Sequence, residues 1–124
     1  MNVVDSCGWL EYFADGQNAG FFAPAIENTV SLIVPAISLF EVFKRVLQQR
    51  DENEALRAVA LMQQGRVVAL NDALALSAAK LSFELKLPMA DSLMLATARA
   101  HAAVLWTQDK DFADIQGVQY IQKL

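Results

Sequence analysis

Four acidic residues of this sequence lie where metal-dependent chemistry would need them. Asp5 and Asp109 each follow a short apolar run, and Glu41 comes shortly after a β-branched run. Asp91 comes three residues after Pro88, in the first turn of an apolar segment with helical spacing. If the apolar runs are strands of a parallel sheet, their carboxyl ends share one edge, where ligands bind. We therefore expect the four carboxylates to converge, provided that the helix carrying Asp91 starts beside that edge.

Converging carboxylates must either take up protons or bind a cation. Hard oxygen ligands favour Mg²⁺ or Mn²⁺, and Mg²⁺ suits a site that it shares with phosphate oxygens. The chemistry indicated is metal-assisted cleavage of a phosphodiester, with Asp5 and Asp91 as the principal metal ligands. Glu41 and Asp109 would complete or support a second metal position.

Each acid also has a purely structural interpretation. Asp91 in a first helical turn is favoured by the helix dipole and by free backbone N–H groups. Asp5, between a strand and a helix, has the position of a helix cap. Glu41 is four residues before Arg45, with which an exposed ion pair would be ordinary. Asp109 lies in a polar segment where Asp often makes turn hydrogen bonds. These alternatives stay open for each residue taken alone.

The segments that must position these acids alternate between strand-length apolar runs and longer helical stretches. This alternation predicts one α/β domain over residues 1–124, with a central parallel sheet of four or five strands flanked by helices. Ser6 and Asp72 are the expected caps of their helices. Strands are predicted at Asn2–Asp5, Val30–Val34, Arg66–Leu70, Ala103–Trp106 and, at an edge of the sheet, Val118–Ile121. Helices are predicted at Ser6–Phe13, Gln17–Asn28, Pro35–Arg50, Glu52–Gln64, Asp72–Lys86 and Pro88–Ala102.

Composition excludes several classes of protein. The chain has 124 residues, a formal net charge of -4 and 55% hydrophobic residues. The acidic balance argues against a protein that binds nucleic acid through a broad basic face, although it leaves room for one that grips a phosphate through a metal. The high apolar content suggests a buried subunit interface. Cys7, the single cysteine, excludes an internal disulfide and is expected to be a core thiol.

The apolar stretches are too short to cross a bilayer, and no basic segment precedes the first of them. We therefore expect no membrane segment and no signal peptide. A cytoplasmic protein is the resulting expectation.

Several segments in order along the chain carry a resemblance to a known family. They are Val3–Ser6 with the following Gly8–Phe13, then Ser38–Val42, Leu87–Ala98 and Trp106–Phe112. Together they resemble the PIN domain, and within it the VapC-type toxins of toxin–antitoxin pairs. The resemblance covers nearly the whole chain, and Leu87–Ala98 fits best.

The resemblance implies a parallel sheet flanked by helices and an activity of Mg²⁺-dependent, or Mn²⁺-dependent, RNA cleavage. It also implies a homodimer and a cognate antitoxin as protein partner. Carried over residue by residue, it makes an acidic site of Asp5, Glu41, Asp91 and Asp109.

The same resemblance assigns supporting roles to neighbouring residues. Ser6 and Thr107 would support the site by hydrogen bonding, and Asp111 is a candidate fifth acid. Cys7 departs from the family pattern, because a Ser or Asn often stands at that position. The departure concerns a neighbour of the site and removes no ligand.

Two other functions compete with this interpretation. A phosphoacceptor receiver domain also gathers acids around Mg²⁺ but would need an acidic pair at the first strand and a lysine just after the last one. Asp5 stands alone at its strand end and Lys123 comes at the end of the sequence, so the receiver domain fits less well. A catalytically weak PIN-like module, acting only by binding a protein partner, is the alternative from a different class.

Overall fold

A five-stranded sheet forms the centre of the computed structural model, which describes residues 1–124. All neighbouring strands run parallel, in the order β3-β2-β1-β4-β5. The α/β architecture and the parallel sheet are as the sequence predicts. The strands are β1 Asn2–Val4, β2 Leu32–Pro35, β3 Arg66–Val68, β4 Val104–Thr107 and β5 Val118–Tyr120. The helices are α1 Ser6–Phe13, α2 Ala19–Glu27, α3 Ala36–Gln49, α4 Glu52–Met62, α5 Asp72–Leu85 and α6 Met89–Ala100. Single turns of 3-10 helix lie at Thr29–Ser31 and Lys110–Phe112.

Strand β1 is the middle of the sheet, and its alternating side chains enter two different cores. Val4 belongs to a core that includes Trp9 of α1 and Phe22 of α2, and α3 and α4 also contribute to it. Val3 points into a second core with Met94 of α6. Helices α1 to α4 therefore cover mainly one face of the sheet and α6 the other, as expected when a strand buries both of its faces.

Helix α5 packs against α6 and makes a small core of its own there through residues such as Leu74 and Ala78. Its opposite side carries Leu76 and Phe83, which are 73% and 85% exposed. The two residues are seven positions apart, so they share one face of the helix. No helix of the structure has both the length and the apolar character needed to cross a membrane.

Three local expectations are wrong. Val30 lies in the 3-10 turn before β2 and is 91% exposed, so that strand starts later than its β-branched residues suggest. Helix α1 is capped by Asp5, whose Oδ1 accepts a hydrogen bond from the Ser6 backbone N–H, rather than by Ser6. Helix α5 is capped by Asn71, which has the extended backbone that a cap requires, whereas Asp72 is already helical.

Candidate metal centre

Three of the predicted acids meet at the carboxyl edge of the sheet. Asp5 directly follows β1, and Asp109 comes two residues after the neighbouring strand β4. Asp91 lies in the first turn of α6, which starts beside the same edge. One carboxylate oxygen from each of the three lies within 4.8 Å of the others. The strand order brings together residues that are far apart in the sequence.

Asp5 is almost completely buried, with 5% of its surface exposed. Its Oδ2 accepts a hydrogen bond of 2.8 Å from the Thr107 hydroxyl, and its Oδ1 accepts one of 2.8 Å from the Ser6 backbone N–H. Burial raises the pKa of Asp5, while these hydrogen bonds favour the ionised form and act in the opposite direction. Asp5 is thus a buried carboxylate held in one orientation.

The Thr107 hydroxyl links two acids of the cluster. It donates to Asp5 Oδ2 and accepts the Asp109 backbone N–H at 2.9 Å. Asp109 Oδ1 in turn accepts the Asp111 backbone N–H at 2.9 Å, which starts the 3-10 turn. One hydroxyl on the last residue of β4 therefore fixes the position of Asp109 relative to Asp5.

Asp91 is the acid with the least support from its neighbours. Its carboxylate is half-buried and accepts no hydrogen bond in the structure, so it is not a hydrogen-bonded helix cap. Desolvation, followed by the charges of Asp5 and Asp109, raises the pKa of Asp91 to about 7. Asp111 and Glu41 add smaller contributions in the same direction.

No basic side chain neutralises the cluster. The structure contains two salt bridges, Arg57 with Glu54 and Lys80 with Glu84, and both lie on helices away from the three acids. Negative charge concentrated without a protein counter-ion costs free energy unless a proton or a cation compensates it. The three carboxylates, all hard oxygen donors, could therefore hold a divalent ion.

Glu41 stands beside the cluster rather than within it. It lies on the second turn of α3, is half-buried and accepts a 2.7 Å hydrogen bond from the Ser6 hydroxyl. The ion pair with Arg45 that the sequence allowed does not form. Asp111 is exposed, and its contact with the cluster is the backbone hydrogen bond to Asp109. The structure thus places Ser6 and Thr107 as hydrogen-bonding neighbours, with Glu41 and Asp111 at the rim.

Cys7 lies at the edge of the site rather than in the core. Its Sγ is 3.5 Å from Asp5 Oδ2 and 3.5 Å from Thr107 Oγ1. Burial and the nearby Asp5 carboxylate raise the pKa of the thiol to about 12, so it remains protonated. In the sequence, only the position of Cys7 directly after Asp5 and Ser6 indicated this contact.

A buried polar network beside the site was missed by the sequence analysis. Asn18 Nδ2 donates to Gln108 Oε1 at 2.9 Å, and the Asn18 backbone N–H donates to Glu11 Oε2 at 2.8 Å. Asn18 and Gln108 are 3% and 5% exposed. The network fixes the segment before α2 against the residue that precedes Asp109. Isolated polar residues without a repeating pattern gave no signal for it.

Solved structures with this fold come from several toxin–antitoxin systems. A toxin–antitoxin complex from Klebsiella pneumoniae is 24% identical with a TM-score of 0.82, covering 96% of each chain. The sarcin–ricin loop cleaving toxin VapC20 from Mycobacterium tuberculosis is 17% identical with a TM-score of 0.76, covering 94% of this chain and 95% of that one. DNA-bound VapBC from Salmonella typhimurium is 16% identical with a TM-score of 0.74, covering 98% of each chain. At these identities the likeness establishes the fold.

The sequence comparisons agree with the fold. No curated protein matches the sequence. Residues 3–118 match the family model of the PIN domain, a range that includes all six helices and strands β2 to β4 and ends at the first residue of β5. The resemblance noted in the sequence motifs is confirmed by this match, and the chain belongs to the PIN domain family.

Proposed function

We propose that this protein is a divalent-metal-dependent endoribonuclease and the toxin of a toxin–antitoxin pair. The observation that carries the proposal is the group of three carboxylates whose oxygens lie within 4.8 Å of one another and form no salt bridge with a basic side chain. The PIN family membership supports nuclease chemistry. The similar fold of VapC20, described as a sarcin–ricin loop cleaving toxin, favours RNA as the substrate.

The residues present fit Mg²⁺ or Mn²⁺. Asp5, Asp91 and Asp109 would hold the ion, and Glu41 at the rim would support it or help to hold a second one. All of these ligands are carboxylate oxygens, the donors that both ions prefer. When bound, such an ion supplies Lewis acidity toward a phosphate oxygen and makes water a better nucleophile at neutral pH.

The chain's own residues prepare the site before a substrate arrives. Thr107 keeps the carboxylates of Asp5 and Asp109 in a fixed relation through its two hydrogen bonds. Asp91, with its pKa near 7, holds a proton on its carboxylate for part of the time when no cation is bound. Cation binding is therefore coupled to proton release from Asp91 at neutral pH.

The test is cleavage of a single-stranded RNA by the purified protein in Mg²⁺ or Mn²⁺. We expect cleavage that stops on chelation and is abolished in Asp5→Asn. Asn is the right replacement because it caps a helix as well as Asp does but carries no charge. Asp114→Asn, at an exposed acid outside the cluster, is the matched control and should cleave normally. Activity in excess EDTA, or full activity of Asp5→Asn, would contradict the proposal, and a folded but inactive parent would favour the binding module.

The proposed protein partner is an antitoxin that places a basic side chain in the acidic cluster. The similar structures from Klebsiella pneumoniae and Salmonella typhimurium are from toxin–antitoxin systems. The cluster offers uncompensated negative charge to an Arg or Lys. Asp5→Asn and Asp91→Asn should then weaken binding to the product of the neighbouring reading frame. Equal affinity in both variants and the parent would mean that the partner binds elsewhere.

The proposal also includes a homodimer that acts in the cytoplasm, where its RNA substrate is found. The exposed face of α5 with Leu76 and Phe83 is the surface that we assign to the second copy. Large apolar side chains that share one exposed helix face are typical of a subunit interface.

A further inference from the structure

We propose that a cleft beside the acidic cluster binds the nucleotide that adjoins the bond to be cut. This inference rests on the proposed nuclease function and assigns its RNA-binding residues. The cleft has a volume of about 480 Å³, within the range of pockets that hold small ligands. It is lined by Cys7, Gln108, Asp109, Lys110, Tyr120, Gln122 and Lys123.

The cleft is continuous with the acidic cluster. Asp109 belongs to both, and Cys7 contacts Asp5 through its sulfur atom. The remaining lining residues come from the ends of β4 and β5, on the side of the sheet that ends in the edge strand. A polynucleotide with one phosphate at the cluster therefore has its next nucleotide within reach of this cleft.

The charges of the cleft suit a phosphate. A polyanion approaching Asp5, Asp91 and Asp109 meets repulsion, and a neighbouring phosphate needs a cation to offset it. Lys110 and Lys123 are exposed and take part in no salt bridge, unlike Lys80 on α5. In a chain with a net charge of -4, two free ammonium groups in one cleft beside the acids are a local exception.

The lysines stand on anchored backbone. Lys110 begins the 3-10 turn that the Asp109 carboxylate caps. The segment with Lys123 is held because the Ile121 N–H donates to the Thr107 carbonyl at 3.1 Å and Asn18 Nδ2 donates to the Gln122 carbonyl at 3.1 Å. The buried network beside the site thus fixes one wall of the cleft.

Tyr120 supplies the surface for a base. Its side chain is partly exposed, makes no hydrogen bond and lines the same cleft as the two lysines. Proteins commonly bind single-stranded nucleic acids with an aromatic ring beside basic side chains, because every base can stack on a ring and every phosphate carries a charge. The occupant that fits is therefore a single-stranded oligoribonucleotide, with its phosphate on the lysines and its base on Tyr120.

The experiment measures binding separately from cleavage. A fluorescent single-stranded RNA is titrated by anisotropy in EDTA at several salt concentrations, with the double variant Lys110→Ala/Lys123→Ala. Its matched control is Lys44→Ala/Lys80→Ala, which removes the same charge from α3 and α5. We expect the cleft variant to bind more weakly and its slope of log affinity against log salt to fall by about 1.4, since each phosphate contact on a single strand contributes ~0.7. The control should keep the slope of the parent.

Tyr120 is tested by two substitutions in the same assay. Tyr120→Ala should bind RNA about tenfold more weakly, as loss of one stacked base predicts, while Tyr120→Phe keeps the ring and should bind like the parent. Unchanged affinity and unchanged salt slope in the lysine variant would overturn the cleft assignment. An equal loss of RNA affinity in the control variant Lys44→Ala/Lys80→Ala would also overturn the assignment.

Cleavage assays on the same variants separate this inference from the proposed function. If the parent cleaves RNA, the cleft variants should raise KM and leave kcat nearly unchanged, because the acids are untouched. A parent that binds RNA through the cleft but never cleaves it supports the cleft and refutes the nuclease. A parent that cleaves with an unchanged KM in the cleft variants supports the nuclease and refutes the cleft.

Discussion

At the scale of single residues, the same side chain often serves both the fold and the site. Asp5 caps α1 through Oδ1 and joins the acidic cluster through Oδ2, where Thr107 donates to it. The structural interpretation of Asp5 as a cap and the functional one as a ligand are therefore compatible. Asp91 is different, because it has no hydrogen-bonding role that would explain its place among other acids.

The raised pKa of Asp91 predicts a pH-dependent stability in the absence of metal. The folded state holds this proton up to about pH 7, whereas the unfolded chain releases it near the ordinary value of 3.8. Asp91 thus favours folding at low pH, and this contribution is lost as the pH rises through the interval between those values. Asp91→Asn has no proton to lose, so its melting temperature should lie a few degrees above that of the parent at about pH 8. Each 1 kcal/mol added to the free energy of unfolding raises the melting temperature by ~4 °C.

The measurement is a thermal melt of both proteins between about pH 5 and pH 8, with and without Mg²⁺ at constant ionic strength. Without metal, the difference in melting temperature between the two proteins should shrink toward pH 5, where the side chain at position 91 is neutral in both folded proteins. Mg²⁺ should raise the melting temperature of the parent but hardly that of Asp91→Asn, because a ligand stabilises only the form that binds it. If Asp91→Asn melts below the parent without metal and responds fully to Mg²⁺, Asp91 is a structural residue outside the metal site.

Thr107 provides a second prediction, about metal affinity. Thr107→Val removes the donor to Asp5 and the acceptor of the Asp109 N–H while keeping the shape of the side chain. Loss of a group that orients metal ligands commonly costs ten- to a hundredfold in affinity, and we expect about that loss for Mn²⁺. Calorimetric titration of Mn²⁺ measures it, and Thr107→Ser should restore most of the affinity because it retains the hydroxyl. Equal affinity in the valine and serine variants would show that the hydroxyl does not position the acids.

At the scale of the elements, α1 is the piece whose close fit brings Asp5 and Ser6 to the site. A Cβ added at Gly8 would lie 2.6 Å from two ring carbons of Phe22 and 2.7 Å from Val4 Cγ1. Both neighbours are fully buried, so neither can move without disturbing the core around β1. A glycine at position 8 is therefore required for the close contact of α1 with α2 and the sheet.

Gly8→Ala should consequently destabilise the protein by about 1–3 kcal/mol, the usual cost of overpacking a core. Gly20→Ala is the matched control, since a Cβ there meets nothing within 4 Å and alanine is the better helix former. That control should leave stability unchanged or raise it by up to about 1 kcal/mol. Urea unfolding of both variants measures the difference, and a Gly8→Ala variant as stable as the parent would refute the close packing described for α1.

The order and type of the elements could be predicted from sequence because apolar runs and helical spacing report which side chains are buried. The pattern does not report which backbone N–H a polar side chain accepts, and so the caps fell one residue away, on Asp5 and Asn71. The rule for parallel strands could bring Asp5 and Asp109 together, but it could not show that the helix of Asp91 starts beside the same edge or that Glu41 lies beside the cluster. The contact between Asn18 and Gln108 could not be predicted, because it joins residues 90 positions apart that share no local pattern.

At the scale of the whole molecule, the acidic cluster and the exposed apolar face of α5 are formed by different residues. The acidic cluster lies at the carboxyl edge of the sheet, while the exposed Leu76 and Phe83 lie on the outer face of α5, which packs on α6. Leu76 and Phe83 are not members of the acidic cluster, so substitutions at these residues leave its carboxylates in place. The two surfaces can be altered independently.

Phe83→Ser should weaken self-association and shift sedimentation toward the monomer, with RNA cleavage per subunit retained at high protein concentration. The physical reason is the loss of apolar area from the face assigned to the second copy. Leu56→Ser removes another exposed apolar side chain, from α4, and should sediment as the parent does. A parent that is monomeric at all concentrations, or a Leu56→Ser variant that dissociates to the same extent, would contradict the assignment.

The strand order also governs when the site can first exist during synthesis. Strand β1 is made first, but β4, its partner on one side, follows about a hundred residues later. Asp91 and Asp109 are translated after all four helices that cover the first core. Domains fold as units while the chain leaves the ribosome. In a nascent chain that ends before β4, strand β1 therefore lacks its partner on that side, and the carboxylate group lacks Asp109. If the protein is the nuclease proposed above, its acidic site is thus incomplete on the ribosome until β4 and the segment that follows it have been made.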